Sequence, residues 1–134
     1  MSSGERHTFR TRTRVRYADT DASGIVYYAS YFLYFETGRV EMFRELGLPY
    51  DYHLPIVETA CRYRAPARFD DLVEVHSFVA EVRSKGFRIG HEVHRVRDDG
   101  SLELLVEGHT SMVTVGEDRK PVPLPELYAR AFGG

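Results

Sequence analysis

The chain has 134 residues, of which 43% are hydrophobic and 28% are charged, and its formal net charge is −2. This length favours a single domain over residues 1–134 with a substantial core, and the composition excludes extensive disorder. The weakly acidic balance gives no support to general binding of polyanions, so we expect no nucleic-acid partner.

The first eight residues are polar and lack the apolar segment of a signal peptide. No apolar run approaches the roughly 20 residues that a membrane helix needs. The single cysteine, Cys61, excludes an intramolecular disulfide and fits a reducing compartment. We therefore expect a cytoplasmic protein without a membrane span.

Residues 9–17 alternate between two kinds of side chain, which is the pattern of a half-buried antiparallel strand. Four arginines occupy one face of this strand. The other face is predicted to point inward and consists of Phe9, Thr11, Thr13, Val15 and Tyr17.

One long helix is predicted between Ser30, a suitable N-cap, and Gly47, a suitable C-terminal stop, with Pro49 just beyond. Arg39 falls among its polar positions. Its apolar positions approximate the helical period and are Phe32, Phe35, Met42, Phe43 and Leu46.

The remaining sequence predicts strands over 55–63, 72–83, 87–96 and 102–115, followed by a short helix over 127–132. Turn-forming residues separate these strands, so we predict that the four are joined by hairpins. A single long helix cannot cover both faces of a sheet. The fold class is therefore α+β, with one helix on a mainly antiparallel sheet.

The segment between the first strand and the helix carries two carboxylates, Asp19 and Asp21, followed by Gly24. A carboxylate beside a helix start can attack or deprotonate water, while the free N–H groups of the helix hold an oxyanion. Alternatively, Asp21 bonds the backbone of its own turn and Gly24 supplies a positive φ. The spacing leaves both interpretations open.

The spacing of this segment resembles that of the 4-hydroxybenzoyl-CoA thioesterase family, including its Tol–Pal-associated branch. The matching pattern is Tyr17-x-Asp19-x-Asp21-x-x-Gly24-x-Val26-x-x-x-x-Tyr31. The similarity continues through residues 54–57, 63–71 and 83–87, and it spans about residues 9–115. It implies a hotdog fold, in which a five-stranded antiparallel sheet wraps around one long helix, and it implies hydrolysis of acyl-CoA thioesters.

The resemblance also implies roles for individual residues. Asp21 corresponds to the catalytic carboxylate, acting as nucleophile or general base, and Asp19 to its structural companion. The backbone N–H of Tyr28 would polarise the thioester carbonyl, and the Tyr17 hydroxyl would orient Asp21 or the attacking water. The Tol–Pal-associated branch commonly has histidine at the position of Tyr28, so we assign this side chain no acid–base role.

Three further positions correspond to substrate contacts. Gly24 allows a close approach to the backbone, Glu36 corresponds to an acidic residue beside the acyl group, and Leu54 corresponds to a pocket wall that favours a less polar acyl tail. The alternative for Glu36 is an exposed helical side chain that pairs with Arg39 or Arg44.

Arg83 and Lys85 lie in a predicted hairpin where the family binds the phosphates of coenzyme A, and a cationic turn attracts such a polyanion. The alternative is a solvated polar turn. Coenzyme A is part of the substrate, and no metal or organic cofactor is expected. The resemblance also implies a homodimer or homotetramer with its sites between subunits.

The sequence leaves two rival functions open. A hotdog dehydratase needs a histidine paired with a carboxylate, and no histidine falls near the helix start. A non-catalytic acyl-CoA-binding protein would keep Arg83 and Lys85 without needing Asp21. A metal site is not expected, because His91 and His94 are three apart on a strand and face opposite sides, whereas His76 and His109 are lone histidines.

Overall fold

The computed structural model describes residues 7–50 and 54–133. In chain order its elements are β1 (Phe9–Arg14), α1 (Tyr31–Leu46), β2 (Ile56–Tyr63), β3 (Leu72–Arg83), β4 (Gly86–Val96), β5 (Leu102–Val113) and α2 (Glu126–Ala131). Two short 3-10 turns, Tyr17–Asp19 and Tyr28–Ser30, precede α1.

The five strands form one antiparallel sheet in the order β1-β3-β4-β5-β2, and α1 packs against it. This confirms the predicted α+β architecture. The predicted hairpin between β2 and β3 is wrong, because β2 pairs with β5 at the far edge of the sheet. The intervening segment bonds the loop before α1 instead: Val26 N–H donates to Ala67 O, and Phe69 N–H donates to Gly24 O.

The first strand is shorter than predicted, and the inward orientation predicted for Tyr17 is wrong. Val15 is buried, but the chain then enters the 3-10 turn and leaves Tyr17 79% exposed. The Arg16 N–H donates to the Asp19 carboxylate at 3.0 Å, which closes this turn and ends the alternation of the strand.

Helix α1 ends as predicted, since Gly47 adopts a left-handed φ of 71°. Its start differs, because the Tyr28–Ser30 turn runs directly into α1 and the Ser30 side chain makes no capping hydrogen bond. The expectation of a polar position at Arg39 is wrong. This residue is buried, and its guanidinium offsets the cost of burial by donating to Tyr50 Oη at 2.9 Å and to Thr110 Oγ1 at 3.1 Å.

Close contact between α1 and the sheet requires the glycine at position 38. A Cβ atom added there would lie 2.3 Å from Ser77 Oγ and 2.8 Å from Val75 Cγ1 on β3. Side chains on a strand alternate, so Val75 and Ser77 identify the face of β3 that meets the helix. Glu74 and His76 therefore point to the outer face.

The core divides into two clusters along the helix. The cluster at the N-terminal half of α1 includes Tyr31 and Phe35, and the cluster at the C-terminal half includes Met42, Phe43 and Leu54. A 16-residue helix is about 24 Å long. The surroundings of Tyr28 and those of Leu54 therefore lie near opposite ends of helix α1 within one subunit. No helix among the described residues is long and apolar enough to cross a membrane.

Candidate active site

The loop that carries Asp21 is a tight turn fixed to the rest of the fold. Thr20 pairs with Val26, the Asp21 N–H donates to Ile25 O at 2.9 Å, and the Gly24 N–H donates to Asp21 O at 3.0 Å. Gly24 supplies a φ of 80°, as the turn requires. Both ends of the loop are therefore held, and its tip is presented to solvent.

Asp19 anchors the base of this loop and is only 2% exposed. Its carboxylate accepts hydrogen bonds from the Arg16 guanidinium at 2.9 Å and from the Tyr34 hydroxyl at 2.9 Å. Burial raises the pKa of Asp19, but the hydrogen bonds from Arg16 and Tyr34 outweigh it and hold this pKa below its usual value. Asp19 thus stabilises the loop as a carboxylate, in keeping with its predicted structural role.

Asp21 differs from Asp19 because its side chain is exposed. Its Oδ1 accepts the Ser23 N–H at 2.8 Å, so the turn chemistry that the sequence left open is present. Among the described residues Oδ2 accepts no hydrogen bond. One carboxylate oxygen is therefore held by the turn, and the other is available to water or substrate.

The start of the helix provides a second reactive feature. Tyr28 is the first residue of the 3-10 turn that continues into α1, and its N–H has no hydrogen-bond partner within the part of the chain that the structure describes. The unpaired amides at a helix start carry a partial positive charge. The hydroxyl of Tyr63 donates to Tyr28 O at 2.9 Å and fixes this peptide.

A cavity of about 220 Å³ opens beside Tyr28. Its walls are mostly aromatic and apolar, and no histidine contributes to them. The lining residues are Val26, Tyr28, Tyr31, Tyr63, Arg64, Ala65 and Pro66. Such walls suit the apolar acyl group of a thioester. They lack the histidine of the histidine–carboxylate pair that a dehydratase needs.

Two predicted site residues, Tyr17 and Glu36, are exposed and form no hydrogen bond with Asp21 within the part of the chain that the structure describes. Tyr17 packs edge-on against Phe69, and its hydroxyl forms no hydrogen bond with Asp21. Glu36 is exposed on α1 and has no partner among the described residues, because Arg39 bonds elsewhere. Arg44, the other pairing partner considered for Glu36, bonds Glu41. The roles of Tyr17 and Glu36 stay predictions.

The remaining predicted residues lie at the other end of the fold. Leu54 lines a separate cavity of about 370 Å³ with Tyr128 and Val115. Arg83 and Lys85 occupy the β3–β4 hairpin, where the Thr114 N–H donates to Lys85 O. Arg83 pairs with Glu81 at 3.0 Å, and Lys85 is exposed. A single chain does not bring these residues to Tyr28.

Comparison with known proteins identifies the family. The model of the thioesterase-like superfamily matches residues 15–132. The chain belongs to the thioesterase-like superfamily. It is 36% identical to the acyl-CoA thioester hydrolase YbgC of Escherichia coli O157:H7 over 131 residues, which cover 92% of this chain and 95% of YbgC.

Similarity to solved thioesterase structures confirms the hotdog fold. A 1,4-dihydroxy-2-naphthoyl-CoA thioesterase from Synechocystis superposes with a TM-score of 0.85 at 25% identity, covering 94% of this chain and 96% of the other. The 4-hydroxybenzoyl-CoA thioesterase of Pseudomonas sp. strain CBS-3 superposes with a TM-score of 0.83 at 23% identity, covering 92% and 98%. The second likeness concerns the fold alone.

Within this thioesterase-like chain, two residues that sequence reasoning missed support the candidate site. Tyr63 holds the Tyr28 peptide, and Tyr34 holds Asp19. Tyr34 is three residues from Tyr31 on a helix that was predicted to bury aromatic side chains, so its burial was detectable from spacing. The contact of Tyr63 with the Tyr28 peptide was not detectable from spacing, because it depends on how β2 passes the start of the helix.

Proposed function

We propose that the protein hydrolyses acyl-CoA thioesters to a free carboxylic acid and coenzyme A. Asp21 acts as nucleophile or general base, and the Tyr28 N–H stabilises the oxyanion. The observation that carries this proposal is one fixed loop with a carboxylate oxygen at its tip and a helix-start amide at its end, neither of which has a hydrogen-bond partner among the described residues. The similarity to YbgC supports the class of substrate.

In the proposed reaction an oxygen nucleophile attacks the carbonyl carbon of the thioester, the C–S bond breaks, and the sulfur of coenzyme A leaves. As general base, Asp21 removes a proton from water as the water attacks, and it returns that proton to the leaving sulfur. As nucleophile, Asp21 forms an acyl anhydride that water then hydrolyses. In either case negative charge develops on the carbonyl oxygen, where the Tyr28 N–H at the positive end of α1 stabilises it.

The proposed site is completed by a second copy of the chain. β2 is an edge strand, so within the described ranges 7–50 and 54–133 one side of it has no strand neighbour. It also exposes apolar side chains, since Ile56 is 47% exposed and Val57 is 59% exposed. Antiparallel pairing of two β2 strands would place the Ile56 end of one subunit against the Tyr63 end of the other. Leu54 of one chain would then lie beside Tyr28 of its partner.

We predict that the double substitution Ile56→Lys and Val57→Lys converts a dimer into a monomer, because it places charges on the pairing edge. Sedimentation or light scattering would measure the mass, and turnover should fall with the loss of the dimer. The matched control is Leu127→Lys, which charges an equally exposed apolar position on α2. A wild-type monomer with full activity would contradict the proposed assembly.

Arg83 and Lys85 are proposed to bind the phosphates of coenzyme A at the mouth of this site. We predict that Lys85→Ala raises KM for an acyl-CoA by about 3- to 10-fold with little change in kcat, because the contact is the same in ground and transition states. Added salt should reduce the difference from wild type.

The matched substrate for this prediction is the acyl-pantetheine thioester, which lacks the nucleotide and its phosphates. Its KM should be equal for wild type and Lys85→Ala. Lys120→Ala removes a cation from another exposed turn and should leave both constants unchanged. An equal rise of KM for the two substrates would show that Lys85 acts on the fold or on the acyl group instead.

The proposed activity is tested by turnover of acetyl-, medium-chain, long-chain and aromatic acyl-CoAs, followed by release of free thiol. Hydrolysis of at least one class is expected, and its acyl group identifies the specificity of the cavity beside Tyr28. Tight binding of these thioesters without hydrolysis would favour the rival acyl-CoA-binding function. Formation of an enoyl thioester from a hydroxyacyl-CoA would favour the dehydratase.

A further inference from the structure

A compact group of histidines and carboxylates lies on the outer face of the sheet, on the side opposite α1. It is formed by facing residues of β3 and β4, with Glu74 opposite His94 and His76 opposite Glu92. His76 is therefore not the lone histidine that the sequence indicated. The pairing register, which links residues 16 to 20 positions apart, brings these four side chains together.

We propose that His76, Glu92 and His94 bind a divalent transition-metal ion, for which zinc is the best match. One donor atom of each residue lies within 4.8 Å of the donors of the other two. Two imidazoles and a carboxylate are a preferred ligand set for zinc, with water completing a tetrahedron. The predicted absence of a metal rested on His91 and His94, and His91 indeed faces inward and stacks on Phe35 at 4.4 Å.

Glu74 orients His76 for metal binding. His76 Nε2 lies 3.0 Å from Glu74 Oε2, and Arg12 Nε donates to Glu74 Oε1 at 3.1 Å. A carboxylate only accepts hydrogen bonds, so Nε2 carries the proton and the lone pair of His76 is on Nδ1. That Nδ1 lies 3.8 Å from Glu92 Oε1, inside the cluster. A carboxylate that orients a histidine in this way is typical of metal sites.

His94 supplies an independent indication. Its Nε2 lies 2.9 Å from Glu92 Oε1, whereas its Nδ1 is buried and has no hydrogen-bond partner among the described residues. A buried nitrogen without a partner is costly in a folded protein. The described protein alone therefore leaves the hydrogen bonding of His94 incomplete, as expected at a site that an additional group completes.

The separations require only small movements for metal binding. Ligand atoms about 2.0–2.1 Å from a tetrahedral zinc ion lie roughly 3.4 Å from one another. The two separations above, 2.9 and 3.8 Å, bracket that value. The side chains project from two adjacent inner strands of the sheet, which fix their backbones. Glu92 is 36% exposed, so an ion can enter from solvent.

The proposal is tested by calorimetric titration of zinc into the metal-free, full-length protein. We expect one ion per chain and a higher melting temperature in its presence. His94→Asn should abolish this binding, and Glu74→Gln should weaken it by about 10- to 100-fold, as expected for a residue that orients a ligand. His109→Asn is the matched control, because His109 also pairs with a carboxylate, that of Glu58, yet belongs to no such cluster of described residues.

A measurement on the wild-type protein keeps the test decisive if a variant fails to fold. On addition of zinc, the imidazole NMR signals of His76 and His94 should shift while that of His109 stays in place. The proposal is overturned if zinc does not bind, if His94→Asn binds it as tightly as wild type, or if the signal of His109 shifts instead. The thioesterase assay is independent of all these outcomes.

Discussion

Asp21→Asn should lower kcat by at least about 100-fold, which is the scale of losing a group that transfers protons or attacks the carbonyl. The amide keeps the size of the side chain, and its oxygen can still accept the Ser23 N–H that Asp21 Oδ1 accepts at 2.8 Å. The turn should therefore be preserved. What disappears is the carboxylate oxygen that no described residue bonds.

The measurement is a steady-state assay together with the Kd for a non-hydrolysable acyl-CoA. Binding should persist in Asp21→Asn, and this distinguishes lost chemistry from a damaged site. Asp99→Asn is the matched control: Asp99 Oδ1 accepts the Ser101 N–H at 2.9 Å in an exposed turn of the same kind, away from both cavities. Equal turnover by wild type and Asp21→Asn would remove Asp21 from the mechanism.

The second large effect concerns stability. Asp19→Asn should lower the free energy of unfolding by about 2–3 kcal/mol, because hydrogen bonds to a buried charged group are among the stronger ones. The amide cannot reproduce the simultaneous acceptance of hydrogen bonds from the Arg16 backbone, the Arg16 guanidinium and the Tyr34 hydroxyl. Urea denaturation of both proteins would measure the difference. Asp118→Asn, an exposed turn position, should change stability by less than about 0.5 kcal/mol.

The stability difference should also depend on pH with a defined sign. The pKa of Asp19 is held below its usual value in the folded protein. Its contribution to stability is therefore fully present above the unfolded pKa of about 3.9, and it is lost as the pH falls through the folded pKa. Wild type and Asp19→Asn should differ at neutral pH and converge below about pH 4. A difference that grows on acidification would contradict this account of Asp19.

The periodicity of the sequence predicted the elements well because their burial follows local spacing. β3 has the predicted bounds, and α1 ends at the predicted glycine. The pairing of β2 with β5 could not be read from turn residues, since they mark where a strand ends and not which strand becomes its neighbour. The predicted inward orientation of Tyr17 was wrong for a related reason. The hydrogen bond from the Arg16 N–H to the Asp19 carboxylate ends the strand early.

The roles assigned to the residues of the candidate site stay predictions, and the residues themselves are far apart in one chain. The motif around Asp21 and the helix start at Tyr28 are local features, and the structure places them on one fixed loop. Leu54 and Lys85 lie at the opposite end of α1, a separation that no local pattern reveals. His76 acquires its contacts from the register of β3 and β4, and Tyr63 acquires its contact from the path of β2 past the helix start; a single sequence specifies neither.

The most direct measurement is a crystal structure of the D21N variant with a bound acyl-CoA that the wild type hydrolyses. The account predicts the thioester oxygen within about 2.7–3.1 Å of the Tyr28 nitrogen, with the side chain at position 21 facing the carbonyl carbon. A thioester seated elsewhere, with the Tyr28 N–H pointing away from its oxygen, would contradict the proposed mechanism.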